Sequence, residues 1–401
     1  MQNTVQETPT SPARTPTPGT GGFRSGIRQY TMVIALLLVW GIFTIFTGAK
    51  FIEPRNLSNL FLQSATVAII AVGMVWVMVA GHIDLSVGSL MGFCGAIVAV
   101  LITNFNWNPV FAILATLAVG ILIGIWQGYW IAYRGVPAFI VTLAGMLIYR
   151  GGVLGVASKT ISPNSPTFAA IGQGYLPALF GSTPGFNGLS AIVALTAIVA
   201  YNIWALSSRA SRIKYGFSVP PWPRQILIQL VYSIAIGLIF GIMVFYMGIP
   251  YAILIIMILV LVFSFVSTNT AFGRYIYAIG GNREAARLSG INVAKTNMYI
   301  FIVMGFLSAV AGIVFTARLN AATLGAGTSM ELDVIAAAVI GGTSTLGGEG
   351  TVFGAIIGAL VMASLDNGMS LMNLDVTWQY VVKGLVLLFA VAIDVSSRKR
   401  A

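Results

Sequence analysis

Long apolar runs, each closed by a short cluster of charge, glycine or proline, set the rhythm of this chain. They predict membrane-crossing helices over about 31–47, 60–80, 109–131, 137–157, 190–206, 226–247, 250–268, 297–317, 349–365 and 376–394, with a further run ending near 103. Barrel strands alternate apolar and polar residues in short segments, so continuous runs of this kind exclude a closed outer-membrane barrel. The expected fold is an all-α polytopic membrane protein with about 12 crossings (10–12), broken or short helices included. Two runs are interrupted. Gly81, His82, Asp84 and Ser86 divide one, and a glycine-rich break at Gly341–Gly350 divides another. The segment 332–346 is too short to cross comfortably, but counting it as a crossing brings both termini to one side.

The stretch 268–297 breaks the pattern differently. Arg274, Arg283, Glu284, Arg287 and Lys295 interrupt the apolar rhythm over several turns, so this segment lies in water. Asn282 can cap a short helix, Glu284 suits its positive first turn, and Gly290 can end it in the left-handed conformation. An isolated two-turn helix and an ordinary solvated loop fit these residues equally well.

Composition places the chain in its class. Of 401 residues, 58% are hydrophobic and 8% charged, against roughly a quarter charged in soluble domains. The single cysteine, Cys94, sits in an apolar run and permits no intrachain disulfide. The net charge of +11 is spread over loops without interleaved aromatics, so nucleic acid is not an expected partner. With both termini cytoplasmic, 15 of the 21 lysines and arginines fall in cytoplasmic segments, as the positive-inside rule demands. The expected organisation is a disordered cytoplasmic tail at 1–28, a transmembrane domain at 29–396 and a basic cytoplasmic tail at 397–401. Cytoplasmic loops are expected at 207–225 and 269–296, and a long polar loop before about 188.

Ionisable groups at membrane depth are costly unless they face a cavity or find partners. Asp84, Glu331, Asp333 and Asp366 are therefore functional candidates, although Arg150 and Lys383, also within spans, can pair with them structurally. His82 lacks the additional ligands that a metal centre needs, and no metal site is expected. It reads equally as a polar lining residue or a satisfied helix end. No phosphate loop, HExxH pair or GxSxG elbow is present, so the chain reads as a transporter without its own ATPase site. For a pathway, the candidates are His82, Asp84 and Ser86 from the first break, Thr343 and Ser344 from the second, and Asp366 and Asn367 near the last span. The membrane-depth acids leave a proton-coupled secondary sugar transporter as the alternative.

The blocks GHIDLSVGS at 81–89, FGRYIYAIGGNREAARLSGINV at 272–293, ELDVIAAAVIGGTSTLGG at 331–348, SLDNGMSLM at 364–372 and WQYVVKG at 378–384 resemble the permease subunits of bacterial ATP-binding-cassette importers for monosaccharides, the ribose and xylose group. The xylose-type permeases are the nearer likeness, because ribose-type subunits lack the two crossings at about 190–247. Departures are His82, where ribose-type proteins show glycine, and the 207–224 loop. The resemblance implies an inner-membrane homodimer, an ABC ATPase on the cytoplasmic face that binds ATP and Mg, and a periplasmic sugar-binding protein. No cofactor is expected on this chain. By the same resemblance, Asn282, Arg283, Glu284, Ala285, Ala286, Arg287, Leu288, Ser289 and Gly290 form the coupling helix that docks on the ATPase, with Ala285, Ala286 and Leu288 as its apolar contacts. The implied substrate is a monosaccharide, a pentose such as xylose or a related sugar.

Overall fold

The computed structural model describes residues 21–183 and 185–399, the side chains of 21–31 and 397–399 excepted. The first 20 residues of the expected tail, and Arg400 and Ala401 of the basic tail, lie outside the described residues. Every element of length is helical. Helix α1 spans Gly21–Phe46, α2 Pro54–Val79, α3 Val87–Thr103, α4 Pro109–Ala132 and α5 Ala138–Val156. Short α6 (Pro166–Gln173) precedes α7 (Gly188–Lys214), α8 (Trp222–Val244) and α9 (Tyr251–Asn269). Next come α10 (Ala271–Gly281) and α11 (Arg283–Leu288), then α12 (Val293–Leu319), α13 (Met330–Ile340), α14 (Val352–Leu371) and α15 (Val376–Lys399).

The starts follow from local chemistry. Proline occupies the first turn of α2, α4, α6 and α8, where its missing N–H is no loss. Side-chain oxygens of Asn108, Ser165, Asn187, Thr270, Asn292 and Thr351 accept from free amides at the heads of α4, α6, α7, α10, α12 and α14. Nine helices among the described residues are long and apolar enough to cross a membrane, and the apolar stretches Met32–Phe46 and Val87–Thr103 are shorter. Helix α13 has 11 residues, about 16 Å of rise against a hydrocarbon core of about 30 Å.

Nearly every residue of α2 is buried, and α12 and α14 pack beside it to form the centre. In lipid, close backbone approach is what holds helices together. A Cβ on Gly305 of α12 would lie 2.2 Å from the Gly120 carbonyl oxygen of α4, so only glycine permits this seam. Helices α7, α8 and α15 form the periphery, with long exposed apolar faces.

Four expectations change. Helix α1 is already formed at Gly21, so the helical segment begins inside the expected 1–28 tail, and α15 continues to Lys399, into the expected 397–401 tail. The polar loop before 188 contains α6, which buries Phe168 completely. The loop expected at 207–225 shrinks to 215–221, because α7 continues to Lys214 and α8 starts at Trp222. Arg209 stabilises this tight turn: its Nη1 donates to the Pro220 carbonyl at 2.6 Å and its guanidinium lies 4.3 Å from the Trp222 ring centre. Finally, the expected 269–296 loop is mostly helical, because α10 precedes the short helix within it.

Candidate functional site

Helix α11 has a defined start and stop. The Asn282 side chain accepts from the Ala285 amide at 2.9 Å, and Gly290, with φ of 84°, turns the chain out. Arg287 Nε donates to both carboxylate oxygens of Glu284 at 3.2 Å. That hydrogen bond, reinforced by the arginine's charge, holds the Glu284 carboxyl below its usual range and raises Arg287. Glu284 and Arg287 remain exposed, as do Arg283, Ala285, Ser289 and Leu288, the last at 76%.

Ala286 departs from its expected role. It is buried against Ile279, Val293 and Ile291, so it anchors α11 to the body and is not available to a partner. The exposed apolar contribution comes from Ala285 and Leu288.

Below α11, three backbones meet. The Gly348 amide donates to the Val79 carbonyl at 2.9 Å, joining the glycine-rich break to the end of α2. Gly280, at the end of α10, lies against both: a Cβ there would sit 1.6 Å from the Val79 oxygen and 2.5 Å from the Gly348 nitrogen. The Tyr277 hydroxyl donates to the Gly350 carbonyl at 2.7 Å. Both breaks are thereby fastened to the segment that carries α11.

The candidate pathway residues form two groups. On the α11 side, the His82 ring lies tilted beside Phe301, with ring centres 5.9 Å apart, and close to Arg283 and Asn297. Asp84 and Ser86 are fully buried; Asp84 Oδ1 accepts from the Ser86 amide at 2.8 Å and from its hydroxyl at 2.7 Å, while Gln127 donates to Ser86 Oγ at 2.8 Å. Thr343 and Ser344 are also fully buried, and Ser344 Oγ accepts from the Leu346 amide at 3.1 Å. These side chains shape the breaks themselves.

The second group lies farther along α14. Lys383 of α15 pairs with Asp333 of α13 at 2.9 Å and with Asp366 of α14 at 2.7 Å. Asn367 and Asn56 exchange amide hydrogen bonds of 2.8 and 3.0 Å. Among the described residues the side-chain hydrogen bonds and ion pairs of each group stay within it, so the seven candidates are not gathered into one site. Arg150 donates to the Ala326 carbonyl at 3.3 Å.

Tyr277, Gly280, Gln127 and the Val79 carbonyl were not singled out from sequence. For Tyr277 and Gly280 a signal existed: Phe272, Ile276 and Ile279 recur at helical spacing after the Thr270 cap, which marks α10 as a helix lying on the body. For Val79 none did, because a main-chain carbonyl leaves no trace in residue type.

Residues 56–391 match the family described as the branched-chain amino acid transport system/permease component. The chain is similar to the xylose transport system permease protein of Escherichia coli K12, 44% identical over 96% of this chain and 97% of that one. The Haemophilus influenzae protein of the same description is 43% identical over 93% and 98%. The ribose import permease protein of E. coli K12 is 34% identical over 92% and 94%. No solved structure matches. The long apolar helices, the two fastened breaks and these full-length likenesses lead to one statement: the chain is a multi-pass membrane protein that belongs to this family of transport-system permease components, within its ABC sugar-importer group.

Proposed function

We propose that the chain imports a monosaccharide, a pentose such as xylose, across the bacterial inner membrane, driven by a separate ABC ATPase that docks on α11. The observation that carries this reading is the placement of α11, capped, exposed and fastened through α10 to both breaks. Closing of an ATPase dimer would push α11 as a rigid body, and the joint at Gly280 passes that displacement to α2 and to the glycine-rich loop. Both termini are cytoplasmic in this arrangement, and a periplasmic sugar-binding protein delivers the sugar on the opposite face. A second copy completes the pathway. The names of the relatives support the pentose. Asp84, Ser86, Thr343 and Ser344 act as the polar joints of the moving breaks and offer hydrogen bonds to hydroxyls once these open. ATP and Mg belong to the partner.

Leu288→Glu combined with Arg287→Glu tests the docking. The variant is expected to insert normally, lose co-purification of the ATPase and lose sugar uptake; retained ATPase binding counts against the reading. A proton-coupled route predicts instead that an uncoupler abolishes uptake at constant ATP. Of its candidate carboxylates, Asp333 is engaged with Lys383 and Asp84 with Ser86, while Glu331 keeps a buried oxygen without a hydrogen-bond partner.

A further inference from the structure

A second polar feature lies at the far end of α2 and α12, about 40 Å of helix from α11. Here a cleft of about 280 Å³ opens between the first turns of α2, the end of α6 and the last turn of α12. Its polar lining is Asn59 and Gln63 of α2, Gln173 of α6, Tyr175 and Arg318 of α12, with Leu62 and Gly172 completing it. Under the orientation proposed above this is the outer face, where substrate arrives.

The cleft is built on close backbone contact. A Cβ on Gly172 would fall 2.2 Å from the Arg318 amide nitrogen, so α6 rests directly on the end of α12. Gln173 Nε2 donates to the Arg318 carbonyl at 2.9 Å. The following strand-like segment is pinned by the Tyr251 amide to Gly174 at 3.0 Å and by the Leu176 amide to Ile249 at 2.9 Å. The side chains around the cleft therefore project from fixed backbone.

Arg318 needs explanation. Its Nε is buried without a hydrogen-bond partner, and no acid among the described residues forms an ion pair with it. The ring of Phe315, 5.7 Å from the guanidinium carbon, covers one side. The side chain as a whole is half-buried, so the guanidinium stays open to the cleft and presents donors that a ligand seated there can use.

The rest of the lining selects among ligands. Asn59, Gln63 and Gln173 each carry a carbonyl acceptor beside amide donors, Tyr175 a phenol, and no carboxylate is present. Hydroxyl groups, which donate and accept, can use both the donors and the acceptors of this lining, whereas an anion would use the donors alone. The volume lies just below the roughly 300–1,000 Å³ of ordinary small-molecule sites, which suits a single sugar ring.

We propose that the cleft bounded by Gln63, Gln173, Tyr175 and Arg318 is a low-affinity receiving site for a neutral monosaccharide on the face opposite α11. This rests on the sugar-import reading and names where on this chain the sugar is first held.

The test uses the permease–ATPase complex in lipid nanodiscs without the binding protein, with D-xylose followed by saturation-transfer NMR. A saturable signal is expected, with affinity falling roughly tenfold in Arg318→Gln and in Gln63→Ala, the size expected for one lost hydrogen bond at a half-buried position. Asn59→Ala, at an exposed position, is expected to weaken it less and guards against a folding defect in the Arg318 variant. Absence of saturable binding, equal binding by all variants, or displacement of the sugar by acetate or phosphate each overturns the proposal. Uptake by the complete importer is measured separately: if it carries no monosaccharide the underlying reading fails, and if it does while the cleft binds none, only the receiving site fails.

Discussion

The Gly348 amide and the Val79 carbonyl, 2.9 Å apart, tie together two helix breaks that are more than 260 residues apart in sequence, and Gly280 closes the joint from the third side. A displacement of α11 reaches the end of α2 and the glycine-rich break most directly through this contact. Gly280→Ala is therefore expected to force the three backbones apart, at a cost of about 1–3 kcal/mol. The signature is an ATPase that still co-purifies while uptake is lost, because α11 itself is unchanged. Normal uptake by Gly280→Ala would remove the joint from the transmission path.

The Asn282 cap makes a second, milder prediction. Asn282→Ala removes the acceptor for the Ala285 amide and costs about 1 kcal/mol of helix stability, whereas Asn282→Asp preserves it. If the partner binds only the formed helix, ATPase association weakens about fivefold in the alanine variant. Pull-down titrations of both variants against the wild type measure it. Equal weakening by aspartate would point to a contact with the asparagine itself.

Much of this was legible in residue order. The apolar runs located every long helix, because lipid leaves the backbone no alternative to helix, and Asn282 with Gly290 marked both ends of α11. What escaped was set by tertiary packing. Ala286 reads as surface from its neighbours, yet Ile279 and Val293 cover it, and α6 looks like a proline-rich loop until Phe168 is seen buried under it. The polar residues of the breaks were identifiable by type, but their division into a set near α11 around Asp84 and a set farther along α14 around Asp366 depends on how the helices are packed against one another. Sequence does not carry that packing.

Lys383 bridges three helices and should be worth more than a surface pair. Its side chain is 21% exposed, that of Asp333 13% and that of Asp366 37%. Lys383→Met leaves two carboxylates facing each other without a cation and is expected to destabilise the detergent-solubilised protein by about 1–3 kcal/mol, reduced from the fully buried case by the exposure of Asp366. Adding Asp333→Asn and Asp366→Asn should restore most of the loss, since no unpaired charge then remains. Thermal unfolding of the single and triple variants decides. A triple variant no more stable than Lys383→Met would mean that α15 needs the ion pair itself.

His82 gives the pH dependence its sign. Burial, and then the nearby Arg283 charge, hold its imidazole below the ordinary value of 6.5, with Asn297 acting the other way. The unfolded chain therefore takes up this proton before the folded one. The stability it contributes is fully present above about pH 6.5 and is lost as pH falls through that value toward the lower folded one. Because this is the single histidine of the chain, the effect can be isolated. Unfolding midpoints measured from pH 8 down to pH 5 should fall more steeply for the wild type than for His82→Gln, and the difference between the two curves should start near pH 6.5. Protonation of the folded protein, which comes only at a lower pH than 6.5, would place a positive charge beside Arg283 at the base of α11, so ATPase association should weaken there, below the onset of the stability loss, in the wild type alone. Parallel curves for both proteins would show that His82 keeps its ordinary affinity for protons and that the Arg283 charge does not reach it.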